Sequence, residues 1–265
     1  MLVLAAVPEV QLHKLRRAAG LRFALVHACT WDDALATIRS RPVELAVVDP
    51  LLGGTSSSTE ISRLRLLFPS LPLALYTTLS PAVAAVLLAL GQSGINHVVF
   101  ARYDDHPARL REVLAAEEAR STSHRLREQL GWMLAPLPSE LRWALEEVLR
   151  SPAELQTVQQ VAARARVDRR TFERWFLRLG LRSPRHFLAA ARVLHAHRLL
   201  QDPGFTVDDV AQRLGYAQTK TLQQHARCYL GLTLGEMRDA LDATEALKRV
   251  AHGFAPQQRA QASAS

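Results

Sequence analysis

An eight-residue repeat in the second half of the chain constrains its fold more than any other feature. The segments 157–164 (TVQQVAAR) and 206–213 (TVDDVAQR) both begin with Thr-Val and place Val-Ala at their fifth and sixth positions. Thr is a preferred helix N-cap, and the apolar residues recur at helical spacing. The small Ala leaves room for a second helix to cross closely. Each copy therefore predicts a short helix packed against a neighbour.

A tight turn and a longer helix follow each copy. The turns are predicted at 165–167 and 214–216, and the longer helices at 169–179 and 219–230. Gly180 and Gly231 stand at the ends of these helices, where a glycine in the left-handed conformation commonly terminates a helix. Short helix, turn and longer helix make up the helix-turn-helix pattern, whose second helix enters the major groove of DNA.

Several short motifs accompany the repeat in a fixed order. They are Phe172-x-Arg174-x-Phe176 before Gly180, Ser183-Pro184 opening a long helix with Arg192 and Leu199-Leu200, then Leu214-Gly215-Tyr216, and Gly231-Leu232-Thr233. With this ordered set, residues 138–241 resemble the DNA-binding domain of the AraC/XylS family of transcription regulators. The sequence departs from that family at Ala226, where the second recognition helix usually carries a large aromatic residue, so looser packing of the second motif is expected.

The resemblance implies a seven-helix unit in which a linker helix, at 184–201, holds two recognition helices in adjacent major grooves. Such grooves recur about every 34 Å on one face of B-DNA. The residues implied to contact bases are Arg170, Glu173 and Arg174 in the first groove, and Thr219, Lys220, Gln223 and Gln224 in the second. Their chemistry agrees, since Arg binds guanine bidentately, Gln pairs with adenine and Glu accepts from cytosine. The candidates for phosphate contacts are Arg169, Arg178, Arg182 and Arg185.

Large apolar side chains on the two recognition helices fall at helical spacing. They are Phe172, Trp175, Phe176, Leu222 and Tyr229. This spacing favours a role in the core over stacking on bases. Each arginine on these helices also has a simpler interpretation, as part of a solvated helix face.

The charge of the chain is unevenly distributed. Residues 1–124 carry 12 Lys and Arg against 11 Asp and Glu, whereas residues 125–265 carry 21 against 14. The excess of basic charge is mostly arginine, which suits phosphates and guanine edges. The asymmetry favours a nucleic-acid-binding half joined to a domain with another task.

The first half alternates short apolar strands with helical patterns. Strands are predicted at 2–7, 23–28, 44–48, 73–76 and 97–100, and helices at 9–19, 32–39, 60–68, 81–90 and from 107. Five strands interleaved with helices predict a doubly wound parallel sheet, covered on both faces, of the receiver or flavodoxin type.

This half resembles a response-regulator receiver domain in which part of the site is missing. Asp49, at the end of the third strand, matches the phosphoacceptor, and Thr77, after the fourth, matches the hydroxyl residue that senses phosphorylation. The acidic pair expected after the first strand falls on Ala5-Ala6. The lysine expected after the fifth strand falls near Ala101, with Arg102 beside it.

Phosphoryl transfer to a carboxylate needs a divalent cation, and Mg²⁺ needs carboxylate ligands. Asp49 alone is a poor magnesium site, so the sequence predicts a pseudo-receiver that is not phosphorylated in the usual way. Such a domain serves dimerisation, binding of a small ligand, or docking of a partner. A phosphorylation-gated regulator, with Arg102 partly replacing the lysine, is the alternative. Five leucine and valine positions fit either a dimer seam or packing within the domain: Leu110, Val113, Leu114, Leu126 and Leu130.

The patterns predict four regions: an α/β domain over 1–120, a linker over 121–137, an all-α double helix-turn-helix domain over 138–243, and a frayed or disordered tail over 244–265. The expected function is sequence-specific regulation of transcription. An interaction adaptor that no longer reads bases is the alternative from another class.

Double-stranded DNA is the expected partner, with a second copy of the chain and RNA polymerase as further candidates. We expect a cytoplasmic protein, associated with the nucleoid when bound to DNA, with no membrane partner, cofactor, metal or catalytic residues. His195 and His197 lie two apart on a helix and so face different directions. Cys29 and Cys228 have no clear His or Asp partner in the sequence.

Overall fold

A computed structural model of the chain describes residues 1–53, 58–90, 95–239 and 242–254. The chain divides into two compact units. The first comprises Met1–Arg125 together with the segment Asp202–Arg213, and the second comprises Leu126–Gln201 and the described residues from Leu214 onward. Among the described helices, none is both long enough and apolar enough to cross a bilayer.

The first unit is built on a parallel sheet. Its strands are β1 Leu2–Ala6, β2 Ala24–His27, β3 Val43–Val48, β4 Leu73–Thr77 and β5 His97–Phe100. The helices that alternate with them are α1 Glu9–Ala19, α2 Trp31–Ser40, α3 Ser58–Leu67, α4 Pro81–Leu90 and α5 Pro107–Glu118. The strand order is β2-β1-β3-β4-β5 and every pair is parallel. The predicted α/β fold is confirmed, with the flavodoxin-like strand order.

The sheet buries side chains on both faces. On one face, Val3, Leu45 and Tyr76 join a core to which α1 and α5 contribute. Residues of the alternate set, such as Leu4 and Ala46, are fully buried as well. Burial on both faces is the reason why these strands read as continuous apolar runs.

Helix α5 contributes its apolar side to this core. Leu110, Val113 and Leu114 are all buried there. The helix ends at Glu118, and the next begins at Thr122, so the predicted break near Ser121 is present. Leu110, Val113 and Leu114 therefore pack within the domain, as one of the two interpretations of these positions predicted.

The rest of the chain is helical. The helices are α6 Thr122–Leu134, α7 Ser139–Arg150, α8 Val158–Arg164, α9 Arg169–Arg178, α10 Pro184–Leu200, α11 Val207–Arg213, α12 Thr219–Leu230, α13 Leu234–Asp239 and α14 Ala243–Phe254. Seven of them, α7 to α13, fall within residues 138–239, all of which are described. This number agrees with the seven-helix unit that the family resemblance implies.

The central element of the second unit is α10. It packs against α7, α8, α9, α12, α13 and α14. Most of its residues are buried, including Phe187, Val193 and Leu200. Ser183 caps its N-terminus by accepting a hydrogen bond from the His186 amide. A single helix therefore supports both α9 and α12.

The C-terminal helix α14 corrects one expectation. The polar, small-residue composition predicted a frayed or disordered tail from residue 244, but α14 extends to Phe254. Ala246 and Val250 are both buried, four residues apart on the same face of the helix. Arg249 donates to the carbonyl oxygen of Leu230 at 3.0 Å, which fixes α14 against the end of α12. Residues 255–265 lie outside the described part of the chain.

Candidate nucleic-acid interface

Helix α9 separates a buried face from a basic exposed face. Phe172 and Phe176 are buried, with ring centroids 5.4 Å apart, and they anchor the helix. Arg170 and Arg174 lie outside this buried face and are exposed. At the N-terminus, the Asp168 carboxylate accepts a hydrogen bond from the Thr171 amide at 2.9 Å. The side-chain and backbone hydrogen bonds from Thr171 hold the pKa of Asp168 below its usual value.

Two other candidate contacts on α9 are bonded to each other. Arg169 Nε lies 2.8 Å from Glu173 Oε1, four residues along the helix. Arg169 is exposed and Glu173 is partly exposed. Glu173, the candidate acceptor from a cytosine edge, is thus paired with Arg169, the candidate phosphate contact. Binding DNA through either group requires this exposed ion pair to rearrange, at a small cost because exposed pairs are weak.

Trp175 does not belong fully to the core. It is partly exposed, and the Arg178 guanidinium lies 5.3 Å from its ring centroid, in a cation–π contact. The contact holds Arg178, which was predicted to contact a phosphate, on the exposed side of α9. Arg182 and Arg185, in and after the turn that follows, are also exposed.

Helix α12 repeats the arrangement of α9 with different residues. Leu222, Ala226 and Leu230 are buried and attach the helix to the second unit. Its predicted base contacts are more varied in exposure: Lys220, Gln223 and Gln224 are exposed, and Thr219 is partly buried. The exposed set can donate to and accept from base edges, whereas α9 offers mainly cationic donors.

Helix α12 contributes His225 and Tyr229 to a cluster of aromatic and histidine rings. The rings of His186 and Tyr229 meet edge to face at 4.4 Å, and the Tyr216 hydroxyl lies 3.1 Å from Nδ1 of His225. Burial, with a further contribution from Arg182, lowers the pKa of His186 to about 4. Ala226 itself is fully buried, although it is smaller than the aromatic residue that the family usually carries there.

The turns of the two motifs place different residue types in the same left-handed backbone conformation. Gly215 has a φ of 71°, and its counterpart in the first motif, Arg166, has a φ of 55°. Glycine adopts this left-handed region readily, whereas an L-residue with a side chain is strained in it. The sequence predicted both turns but carried no signal that Arg166 would occupy the strained position.

The helix N-caps predicted from the repeat are present. Thr157 accepts from the Gln160 amide at 3.2 Å while Gln160 reaches back to the Thr157 amide. Thr206 and Asp209 make the same reciprocal pair, at 3.1 and 2.8 Å. Gly180 and Gly231 adopt φ values of 66° and 71° at the ends of α9 and α12, as expected for helix termination.

Asp49 is buried at the carboxyl edge of the sheet and is fully engaged. Its Oδ1 accepts from the Thr77 hydroxyl at 2.7 Å and from the Leu51 amide at 2.9 Å. Its Oδ2 accepts from Nε2 of Gln11 at 3.2 Å. The side chain is 3% exposed, and Arg102, at the end of β5, points to the surface side as an exposed residue. Gln11, which the sequence did not single out, therefore occupies the place beside Asp49.

The receiver resemblance implies a magnesium ion at this edge, and the donor set does not fit one. Mg²⁺ requires several oxygen ligands in near-octahedral geometry. Ala5 and Ala6 stand where the acidic pair would be, and the Asp49 oxygens already accept three hydrogen bonds. Among the described residues, no group of three His, Cys, Asp or Glu side chains could hold a metal ion.

Cys29 has a partner that the sequence interpretation missed. Its Sγ lies 3.8 Å from Nδ1 of His27, and Nε2 of His27 lies 2.8 Å from the carbonyl oxygen of Val7. His27 is the last residue of β2 and Cys29 lies two residues beyond it, so their closeness in the chain was a signal for this contact. His195 and His197 do have separate partners, the Leu149 carbonyl and Gln201.

Comparison with known proteins agrees with the helical architecture. The profile of a family described as a helix-turn-helix domain matches residues 161–240, from α8 to the end of α13. The match supports the AraC-type assignment of this region and a DNA-binding role in the regulation of transcription. A search of curated proteins found no match to the chain.

Proposed function

We propose that the chain is a sequence-specific regulator of transcription in which α9 and α12 read adjacent major grooves. The domain that carries this activity extends over residues 138–243, and the chain has no catalytic role. The observation that supports the proposal best is the arrangement of α9. Two phenylalanine side chains bury one face of the helix, and Arg170 and Arg174 are exposed outside it. Arginine in this position can contact guanine O6 and N7 bidentately.

Phosphate contacts add affinity but no sequence choice. Arg178, Arg182 and Arg185 are exposed in and after α9. Neutralised phosphates release counterions, so binding through these residues weakens steeply as salt rises. The salt dependence of DNA affinity in single arginine variants therefore distinguishes arginines that contact bases from those that contact phosphates.

The α/β fold acts as a pseudo-receiver in this proposal. Asp49 is buried and accepts three hydrogen bonds, and within the described part of the chain it belongs to no group of three or more His, Cys, Asp or Glu side chains that could hold a metal ion. A phosphoryl donor would have to displace Gln11 or Thr77 before it reached the carboxylate. This geometry supports signal input by a route other than phosphorylation.

Selection of randomised duplex DNA on the full-length protein, at about physiological salt, tests the proposal. We expect enrichment of a motif with two elements about ten base pairs apart, which is the repeat of one groove along one face of the duplex. Retention of DNA without an enriched motif would show backbone binding alone. The adaptor alternative would gain support if Arg170→Ala and Arg174→Ala left both retention and cellular function unchanged.

A further inference from the structure

The segment Asp202–Arg213 belongs to the first unit, although it contains half of the second helix-turn-helix motif. It includes α11, the first helix of that motif, and it lies inside the range matched by the helix-turn-helix profile. The recognition helix α12 belongs to the second unit. The first motif is not divided in this way, since α8 and α9 are both in the second unit.

Hydrogen bonds hold the start of the segment against the end of α3. The Asp202 carboxylate accepts from both the amide and the hydroxyl of Ser70, the amide at 3.0 Å. The Gly204 amide donates to the carbonyl oxygen of Leu67 at 2.8 Å, and Arg39 Nε donates to the carbonyl oxygen of Gly204 at 3.3 Å. Asp202 is 1% exposed, so these bonds are shielded from water.

Aromatic packing brings the backbone of the segment into close contact with α3. The rings of Phe205 and Phe68 have centroids 4.8 Å apart, and both side chains are buried. A Cβ atom added to Gly204 would lie 2.4 Å from Cε1 of Phe68 and 2.8 Å from the carbonyl oxygen of Leu67. Only glycine fits this approach, because both a buried ring and a backbone atom fill the space.

Arg213 closes the other end of the segment. Its guanidinium donates to the carbonyl oxygens of Ile38 and Val43 and lies 5.0 Å from the centroid of the Phe205 ring. Burial lowers the pKa of Arg213 to about 10, while the carboxylates of Glu44 and Asp202 act in the opposite direction. The side chain therefore remains charged at neutral pH.

The equivalent residue of the first copy behaves differently. Arg164 occupies the same position of the repeat as Arg213, yet it is exposed. It lies over Trp143 at 4.7 Å and 3.6 Å from Glu147. A buried guanidinium is costly unless it is hydrogen-bonded, so the pairing of Arg213 with two backbone carbonyls is a specific feature of the second copy.

We propose that the α/β unit is a working part of the second helix-turn-helix motif and controls its reading of DNA. The inference rests on the proposed function, and it adds the statement that the two motifs depend on the α/β unit unequally. Because α11 is fixed within the α/β unit, a change in that unit alters binding to the second DNA element and leaves binding to the first unaffected. Signal input then acts on half of the DNA site.

Footprinting on the selected two-element DNA tests the inference with two glycine variants of the full chain. Gly204→Ala introduces the clash with Phe68 and Leu67, whereas Gly235→Ala is the matched control, because nothing lies within 4 Å of a Cβ atom at Gly235. Gln223→Ala, on α12, identifies the element read by the second motif. We expect Gly204→Ala to weaken protection of that element by about tenfold or more, equivalent to about 1.4 kcal/mol. Protection of the first element should change less than about twofold in both variants.

Hydrogen exchange supplies a readout that does not involve DNA. In Gly204→Ala, the amides of α11 should lose protection while those of α9 and α10 keep theirs, which also shows that the variant is folded. Arg213→Ala should give the same pattern without a steric clash. Should α11 lose its protection while both DNA elements remain protected as in the wild type, the inference is overturned. Tighter binding of the second element would overturn it too, because the contact would then be inhibitory.

The two proposals fail in distinguishable ways. A wild-type protein that protects no DNA element overturns the proposed function, and the inference with it. If the wild-type protein protects both elements, and a folded Gly204→Ala or Arg213→Ala variant whose α11 amides have lost protection protects them equally well, the inference alone is overturned.

Discussion

The Thr77 hydroxyl donates a 2.7 Å hydrogen bond to Oδ1 of Asp49, so the two residues that match the sensing hydroxyl and the phosphoacceptor of a receiver domain are in direct contact. Both are buried at the carboxyl edge of the sheet, where the ends of β3 and β4 meet. The amide of Gln11 covers the other oxygen of the carboxylate. The chemistry of this edge resembles a structural hydrogen-bond network more than an accessible phosphoacceptor.

Treatment with acetyl phosphate and Mg²⁺ should leave the protein unmodified. Asp49 is 3% exposed and its oxygens already accept from Leu51, Thr77 and Gln11. Intact-mass spectrometry should therefore show no addition of a phosphoryl group. The Asp49→Asn variant, treated in parallel, provides the control for adducts at other residues. An adduct present in the wild type and missing in this variant would mean that the pseudo-receiver proposal is wrong.

Removal of the Asp49 carboxylate should destabilise the fold. In Asp49→Ala the buried Thr77 hydroxyl and the Gln11 amide lose their acceptor. A buried donor without a partner costs about 1–3 kcal/mol, so the free energy of unfolding should fall by at least that amount. Urea titration of Asp49→Ala and Asp49→Asn measures it, and Asp49→Asn should lose less because its amide oxygen still accepts. Equal stability of all three proteins would contradict the network.

Arginine variants on α9 should separate base reading from phosphate binding. Arg170→Ala and Arg174→Ala should each weaken binding to the selected motif by about 1–3 kcal/mol and relax the preference at one base position. Arg178→Ala should weaken binding to all sequences and reduce the slope of log K against log salt by about 1. Titrations at several salt concentrations, on the selected duplex and on a scrambled one, distinguish the two behaviours. If all three variants lost affinity equally on both duplexes, α9 would bind only the backbone.

Substitutions in the two turns should change the stability of the protein in opposite directions. Gly215→Ala places a side chain at a φ of 71° and close to the Gln156 side chain, so it should destabilise the protein by about 1–2 kcal/mol. Arg166→Gly relieves strain at a φ of 55° but adds freedom to the unfolded chain, and the two effects leave a net gain of about 0.5 kcal/mol or less. Thermal unfolding measures the stability of both variants. The difference in stability between them should exceed the difference between Gly235→Ala and the wild type. A destabilised Arg166→Gly variant would show that contacts of the Arg166 side chain stabilise the fold by more than its backbone strain destabilises it.

Stability should fall as the pH drops from about 6.5 to about 4. Burial lowers the pKa of His186 from 6.5 to about 4 and lowers that of His225 as well. The unfolded chain therefore takes up protons in this range while the folded chain does not, and proton uptake favours the unfolded state. The stabilisation is complete above pH 6.5 and is lost as the pH falls through the folded pKa. Urea titrations at pH 7, 6, 5 and about 4 should show a smaller decrease in His186→Gln, and an identical decrease would assign the effect to other groups.

Local features of the sequence accounted for most of the elements. The boundaries of α1, α4, α12 and β5 agree with those predicted from periodicity and from punctuation by Pro and Gly, because these signals act over one or two turns of chain. The start of the C-terminal tail was misjudged for a related reason. Composition described its polar residues well, but the burial of Ala246 and Val250 depends on α10 and α12, which are distant in sequence.

The neighbours of the candidate site residues were harder to predict. Asp49 accepts a hydrogen bond from Gln11, which is 38 positions away in the chain, and another from Thr77, which is 28 positions away. Neither contact follows a period along the chain. A contact of this kind depends on the order in which parallel strands and their helices are assembled, and the pattern of a single strand carries no record of that order.

The sequence by itself determined the repeated Thr-Val-x-x-Val-Ala helices, their caps and terminating glycines, and the alternation of strands and helices in the first half. Each of these depends on a few adjacent residues whose backbone preferences and apolar spacing act locally. Only the tertiary structure decided that Arg164 is exposed while Arg213 is buried, although the two occupy the same position of the repeat. The burial of Arg213 depends on two carbonyl groups, those of Ile38 and Val43, which lie 175 and 170 positions away and which the fold brings together with it.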